Sequence, residues 1–408
     1  MKRYLIIGNG IAAVGCIEGI RALDTDGEIT VISEEKHPVY GRPLISYYLE
    51  GKTTLDKMNY RPADFYEKNG CRLIYGRAVA LDPKKTATLD DGTALPYDEL
   101  CVATGSRPFV PPFEGLDAVE KKFSFMTLDD ALALEKALDK DARVLIVGAG
   151  LIGLKCAEGI KARVGRVTVC DLADRVLSSI LDAECAAVVQ KHLEANGISF
   201  LLGDTAVKFN HNKAQMKSGK TVDFDLLVLA VGVRANTDLV KGAGGMVNRG
   251  IVVDQKMQTS IPGVYAAGDC AEGFDASVGG NRVIAILPNA YMQGHTAGIN
   301  MAGGDASQND AIPMNSIGFF GLHMMTAGAY VGKMAEEKTE RGVKRFFTEN
   351  GLLKGFILIG ETERAGIYTS LIREKAPLDT VDFELTKKVA SNLIFSQEKR
   401  RNKFGSVV

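Results

Sequence analysis

Residues Tyr4-Leu5-Ile6-Ile7 are an apolar run that ends in Gly8-Asn9-Gly10-Ile11-Ala12-Ala13 and then takes helical spacing. This order, strand then Gly-x-Gly-x-x-Ala then helix, is the most constraining feature of the chain. It predicts a buried parallel strand, a tight turn, and a helix whose first amides face a pyrophosphate. Gly8 permits the turn, Gly10 lets the backbone approach phosphate, and Ala13 is small enough for the helix to lie on the strand. A second apolar run, Glu28-Ile29-Thr30-Val31-Ile32, reads as the neighbouring strand. Glu34 follows it, 24 residues past Gly10, where a carboxylate would meet an adenosine ribose; the alternative is a solvated acid after a strand.

The pattern occurs again. Val144-Leu145-Ile146-Val147 leads into Gly148-Ala149-Gly150-Leu151-Ile152-Gly153, and its second strand, 166–170, ends at Asp171, 21 residues past Gly150. Two such units about 140 residues apart are an internal repeat. Between them, 71–95 reads as short strands with an Asp91-Gly92 hairpin turn, and Leu100-Cys101-Val102 as a strand ending at Ala103-Thr104-Gly105. Pro108, Pro111 and Pro112 mark a linker and a domain boundary. After the second unit come strands at 198–203 and 222–230, the turn Val231-Gly232-Val233, a strand ending at Gly268-Asp269, and a helix opening at Leu287-Pro288. From about 309 onward nucleotide motifs stop. The runs 345–348 and 352–359, joined by Glu349-Asn350-Gly351, predict a hairpin.

Bulk properties narrow the class. With 408 residues the chain is long enough for two or three domains, and a net charge of −1 favours neither nucleic acid nor an anionic membrane. No apolar run approaches the ~20 residues of a membrane span, and the apolar stretch after Met1-Lys2-Arg3 reads as a strand rather than a signal peptide. The seven cysteines are odd in number and no two lie within four residues of each other. That spacing argues against a disulfide scaffold, a zinc site or an iron–sulfur cluster, so no metal is expected and the cytoplasm is.

Two fingerprints, an Ala-Thr-Gly turn between them and Tyr265-Ala266-Ala267-Gly268-Asp269 after them resemble the FAD-dependent pyridine nucleotide–disulfide oxidoreductases. The resemblance covers about 1–305. It implies an α/β fold with two Rossmann-like dinucleotide-binding domains of three-layer ββα type, plus a C-terminal α+β interface domain. The implied domains are 1–112 with 236–308 for FAD, 113–235 for NAD(H) and 309–408 for the interface. By the same resemblance FAD is held by Gly8, Gly10, Ala12, Ala13, Glu34, Arg42, Val79, Ala103, Thr104, Gly105, Gly268, Asp269, Asn289 and Tyr291. The helix near Asn289–Tyr291 would point its positive end at the flavin pyrimidine edge. NAD would be held by Gly148, Gly150, Ile152, Gly153, Asp171 and Gly232. Asp171 favours a free 2′-hydroxyl and hence NADH over NADPH; Arg175, four residues on, either reaches a 2′-phosphate or is a surface helix residue.

Sulfur-using members of the family need a cysteine pair, or one redox cysteine, beside the flavin. Matching the stretch Tyr48-Leu49-Glu50-Gly51-Lys52 puts Pro43 at that position, and proline forms neither a sulfenic acid nor a disulfide. Arg42-Pro43-Leu44-Ile45-Ser46-Tyr47 is instead similar to the NADH:rubredoxin/ferredoxin reductase and nitrite reductase flavoproteins, except that Tyr47 stands where that branch has lysine. Lys155 correspondingly stands where it has glutamate. Lys155, Tyr47 and Pro43 are therefore the candidate catalytic residues, with Glu158 one turn on as a partner for Lys155; a neutral, solvated swap is the alternative. The implied activity is an FAD-dependent NAD(H) oxidoreductase without a redox-active disulfide. It would exchange electrons with a small electron-carrier protein or an iron–sulfur partner subunit. Alternatives are a flavin subunit of a larger complex, an NADH oxidase using O2, and a non-enzymatic nucleotide sensor. A homodimer or a heteromeric complex is open, and the basic tail Lys399-Arg400-Arg401-Asn402-Lys403 is either a carrier-docking patch or a solvated helix end.

Overall fold

A computed structural model describes residues 1–82, 85–389, 391 and 394; the basic tail lies outside these. The chain divides into two compact units. One is Met1–Gly273 with Leu287–Gln308; the other is Phe274–Ile286 with the chain from Asn309 on. The segment Phe274–Ile286, read from sequence as part of the FAD domain, thus clusters with the C-terminal unit.

The first unit carries the repeat. Strand Arg3–Ile7 buries every residue after Arg3, as a strand covered on both faces must. It sits in the centre of a five-stranded parallel sheet ordered Val264–Ala266, Glu99–Val102, Arg3–Ile7, Glu28–Ser33, Cys71–Tyr75. The second sheet has the same logic: Ile198–Leu202, Arg166–Asp171, Arg143–Val147, Leu226–Leu229, Lys122–Phe123. Each has a three-stranded antiparallel companion, Ala78–Asp82, Thr86–Leu89 and Ala94–Pro96 in one, Ala206–Asn210, Lys213–Met216 and Thr221–Asp223 in the other. The repeats differ in their last strand, which arrives late in the first copy (Val264–Ala266) because the second copy is inserted ahead of it.

The expected single strand over 222–230 is two strands. Thr221–Asp223 belongs to the antiparallel companion and Leu226–Leu229 to the parallel sheet, with the buried Phe224 and the partly exposed Asp225 at the crossing. Asp225 is clasped there by Arg143: backbone N and Nε donate to Oδ2 at 2.8 and 3.0 Å, and Nη2 to Oδ1 at 2.9 Å. The first copy has the same clasp between Arg3 and Asp98. These pairs staple the start of each central strand to the start of its neighbour.

The linkers into and out of the inserted copy pair with each other, Ser106–Pro108 against Val233–Ala235. Asn236 ties this crossing to the Ala-Thr-Gly turn: its Nδ2 donates to the Thr104 carbonyl at 2.8 Å, and Thr104 Oγ1 donates to the Asn236 carbonyl at 3.0 Å.

The C-terminal unit is an antiparallel five-stranded sheet ordered Met314–Phe319, Leu322–Gly328, Leu352–Ile359, Gly342–Glu349, Lys333–Thr339. The 349–351 hairpin is as expected. Helix Ala365–Arg373 covers the sheet with Tyr368 against Phe346 and Phe356.

Candidate functional site

The first glycine turn is held open by sterics. Gly8 has φ +111°, and a Cβ there would lie 2.1 Å from the Ala103 carbonyl oxygen. Gly148 repeats this, with φ +118° and a Cβ 2.2 Å from the Ala230 oxygen. Only glycine fits either place. A Cβ on Gly10 or Gly150 would meet nothing within 4 Å, so both turns present bare backbone to open space. Ala12 and Ala13 are buried, as is the third fingerprint glycine, Gly153, whose Cβ would fall 2.0 Å from the Gly148 oxygen.

Helix Ile11–Arg21 packs along helix Leu287–Met301 at backbone contact. A Cβ on Gly15 would strike the Tyr291 oxygen at 2.3 Å, on Gly19 the His295 oxygen at 2.3 Å, on Gly294 the Ala12 oxygen at 2.0 Å, and on Gly298 the Cys16 oxygen at 2.1 Å. Residue numbers rise together along both helices, so they run parallel. Their positive N-terminal ends therefore lie side by side, a setting for a negatively charged ligand. Gly268 sits over Ala12, and its N–H donates to Gln293 Oε1 at 2.9 Å, pinning the Gly-Asp turn to the second helix.

Asp269 is set into this corner. Burial holds its carboxyl above the usual carboxylate range, opposed by the Ser106 hydroxyl at 3.3 Å and the nearby Arg42 charge. Arg42 itself is bound to Glu35, and its Nη1 donates to the Met126 carbonyl at 3.2 Å. Glu34 is exposed just beyond its strand. Val79 is 51% exposed and sits in a bulge, between Ala78 paired with Leu89 and Ala80 paired with Thr88. The second copy repeats the bulge at Val207, which sequence spacing did not reveal.

Two further residues named from sequence have partners within the protein. The Tyr291 hydroxyl donates to Glu18 Oε2 at 2.6 Å, where Arg61 also binds, so the phenol is held by this pair. Asn289 Oδ1 accepts from Gln308 Nε2 at 3.0 Å and is buried.

In the second copy Asp171 Oδ2 accepts from Ala149 N–H at 2.6 Å and Oδ1 from Ala173 N–H at 2.8 Å, so the acid braces the glycine turn beside it. Arg175 donates to Asp174 Oδ1 at 2.7 Å and to the Leu181 carbonyl at 3.3 Å. Ile152 lies in the first turn of helix Leu151–Ile160, and Gly232 has φ +110° with open space around its α-carbon.

The two copies meet where helix Leu44–Leu49 packs on helix Leu151–Ile160; Gly159 admits the Ser46 carbonyl, 3.0 Å from where a Cβ would be. Lys155 lies here, bound to the buried carboxylate of Glu158, with its Nζ 4.6 Å from the centre of the Tyr47 ring. Lys52 flanks the same ring at 5.9 Å. Tyr48 donates to Glu135 Oε2 at 2.7 Å, and Arg163 to Glu135 Oε1 at 2.9 Å, lashing the short helix to helix Leu128–Ala137. Pro43, exposed, is the N-cap of the short helix. Glu35, Tyr66, Glu135, Arg163 and Asn236 were missed from sequence; they meet their partners across folded loops, and no local spacing signals them.

No thiol stands in this short helix. All seven cysteines are free, and burial pushes Cys71 and Cys270 up to about 11 and Cys170 up to about 12, away from reactive thiolate.

The residues fit the two dinucleotides that the repeat implies. The bare turns and helix ends suit pyrophosphates, and the partly buried Asp269 carboxylate suits a ligand hydroxyl. In addition, Asn9 Nδ2, inside the first turn, is buried with no protein partner. Fold and site together define a two-dinucleotide oxidoreductase. The chain belongs to the pyridine nucleotide-disulphide oxidoreductase family, whose model matches residues 2–294. It is 32% identical over 395 residues to the epsilon subunit of NADH-dependent phenylglyoxylate dehydrogenase from Aromatoleum evansii, covering 92% of each chain. It is 38% identical over 318 residues to an NADH oxidase from Methanocaldococcus jannaschii, covering 74% of this chain and 71% of that one. Among solved structures it is similar to a ferredoxin reductase from Rhodopseudomonas palustris, with a TM-score of 0.87 at 26% identity over 98% of this chain and 99% of that one.

Proposed function

We propose that this chain passes electrons between NADH and a separate electron-carrier protein or iron–sulfur partner subunit in the cytoplasm, with FAD in the first copy and NADH in the second. Bound FAD would supply a ring that accepts hydride from the nicotinamide and releases electrons singly or in pairs. The polypeptide's part is holding and orienting. Gly8, Gly10 and Ala13 admit the FAD pyrophosphate, the paired helix ends offset negative charge, and Asp269 accepts from a ligand hydroxyl. Gly148, Gly150 and Gly153 admit the pyrophosphate of NADH, and Asp171 holds that turn in shape. Tyr47 and Lys155 line the meeting of the two copies, where the tyrosine ring keeps water out and the ammonium group is held in place by Glu158. Glu34, Arg42, Val79, Thr104 and Gly105 complete the FAD side.

The observation that carries this reading is the short helix between the copies. Where sulfur-using members keep a redox thiol, this chain has Pro43, and its cysteines are buried elsewhere or held protonated. No side chain there can store electrons, so they leave the protein. Direct reduction of O2 is the second reading, favoured by the likeness to the M. jannaschii NADH oxidase.

The test is anaerobic addition of NADH to the purified protein, followed by O2, peroxide, rubredoxin or ferredoxin in separate arms. Loss of flavin absorbance with NADH and fast recovery only with an iron–sulfur carrier is expected. No bleaching would remove the enzymatic reading, and equally fast recovery with O2 alone would favour the oxidase.

A further inference from the structure

Asn9 lies between the two glycines of the first turn. Its Oδ1 accepts from the Tyr66 hydroxyl at 2.5 Å, while its Nδ2 is buried and has no partner in the protein. The orientation of the amide follows from Tyr66. The phenolic proton lies on the bond to Asn9 Oδ1. Burial pushes Tyr66 up to about 12, so that proton stays in place at any working pH. With its oxygen engaged, the amide turns its NH2 group away from Tyr66.

A buried donor without an acceptor is unfavourable, and folded proteins rarely keep one unless something else completes it. The second copy shows that the fold does not require this group. Ala149 stands at the equivalent place, and its backbone N–H is taken by Asp171. The amide is thus an addition peculiar to the first turn, beside the bare backbone of Gly10.

We propose that Asn9 is a recognition residue for the adenosine diphosphate half of the first-unit ligand: Nδ2 donates to an oxygen of that half, and Tyr66 is the positioning residue that aims it. This rests on the reading that the first copy holds FAD.

The test uses the full chain in three variants, Asn9→Ala, Asn9→Asp and Tyr66→Phe. FAD affinity is read from flavin released on dilution, and the thermal midpoint from the flavin-stripped chain. Asn9→Ala is expected to bind FAD about tenfold more weakly, as loss of one hydrogen bond from a desolvated donor implies. Its flavin-free thermal midpoint stays the same or rises, because the uncompensated donor is gone. Asn9→Asp keeps an acceptor for Tyr66 but replaces the donor by a negative oxygen, so FAD affinity falls further still. Tyr66→Phe gives a smaller loss. ADP competition against FAD should weaken by the same factor in Asn9→Ala. Wild-type affinity for FAD in Asn9→Ala, unchanged ADP competition, or a flavin-free midpoint that falls in step with affinity overturns the assignment alone. A wild-type chain that takes up no FAD overturns both it and the reading of the first copy.

Discussion

Replacing Gly294 by alanine should separate the two parallel helices that frame the first glycine turn. The added Cβ would fall 2.0 Å from the Ala12 carbonyl oxygen, with the Ala12 carbonyl carbon at 2.8 Å. Ordinary contact begins at 3.4 Å, so the shortfall is 3.4 − 2.0 = 1.4 Å. The obstructing atoms are backbone, and no rotamer change relieves them. The helices must part locally, which also loosens the Gly298–Cys16 and Gly15–Tyr291 approaches on either side. Alanine's better helix propensity returns about 1 kcal/mol. Overpacking of a tight contact costs about 1–3 kcal/mol, and this backbone clash belongs at the upper end of that range. The net expectation is about 2 kcal/mol of lost stability, with FAD released on dilution because the two N-termini no longer converge. The assay is thermal unfolding followed by circular dichroism, alongside flavin fluorescence. Gly366→Ala is the control: that glycine lies in helix Ala365–Arg373 with nothing within 4 Å of a Cβ, and the change should leave stability level or slightly raised. A Gly294→Ala protein that melts with the wild type and keeps its flavin would refute the close-packed helix pair.

Lys155→Ala should slow reduction by NADH about tenfold in stopped-flow absorbance while leaving FAD content intact, as loss of a fixed charge-assisted contact predicts; an unchanged rate removes Lys155 from the site. Asp171→Asn loses one of two carboxylate bonds to backbone N–H groups, so kcat/KM for NADH should fall about tenfold and the NADH:NADPH ratio should narrow. An unaltered ratio would count against the acid's role. The Arg3 and Arg143 hydrogen bonds hold Asp98 and Asp225 down at about 2. Because these pKa values lie below the ordinary ~3.9 of the unfolded chain, the stabilisation is present above pH ~4 and is lost as pH falls toward ~2. Both carboxylates are more than a third exposed, so each contributes at most about 1 kcal/mol. An Asp98→Asn, Asp225→Asn double variant should show a flatter acid limb in pH-dependent melting, and an unchanged limb would refute this.

The amino-acid sequence by itself determined the two glycine turns, the strands that feed them, the acids that follow and the Asp91-Gly92 and Asn350-Gly351 hairpins. Each of these is a local instruction. A turn that needs positive φ at Gly8, or a strand buried on both faces at Leu5–Ile7, is specified within a few residues by sterics and by the period of apolar side chains. The repeat was legible for the same reason. What only the tertiary structure decided is which distant groups meet. Tyr48 finds Glu135 across 87 residues of chain, Tyr291 meets Glu18, and the stretch after Thr221 breaks at Phe224 to serve two sheets. The pairing of Lys155 with Tyr47 lies between. The exchange of residue types was visible in the chain, but the 4.6 Å contact exists because Gly159 lets one helix settle against the carbonyl of Ser46 on the other. Contacts of that kind depend on how closely helices approach and on how long loops close, and neither is written in local spacing.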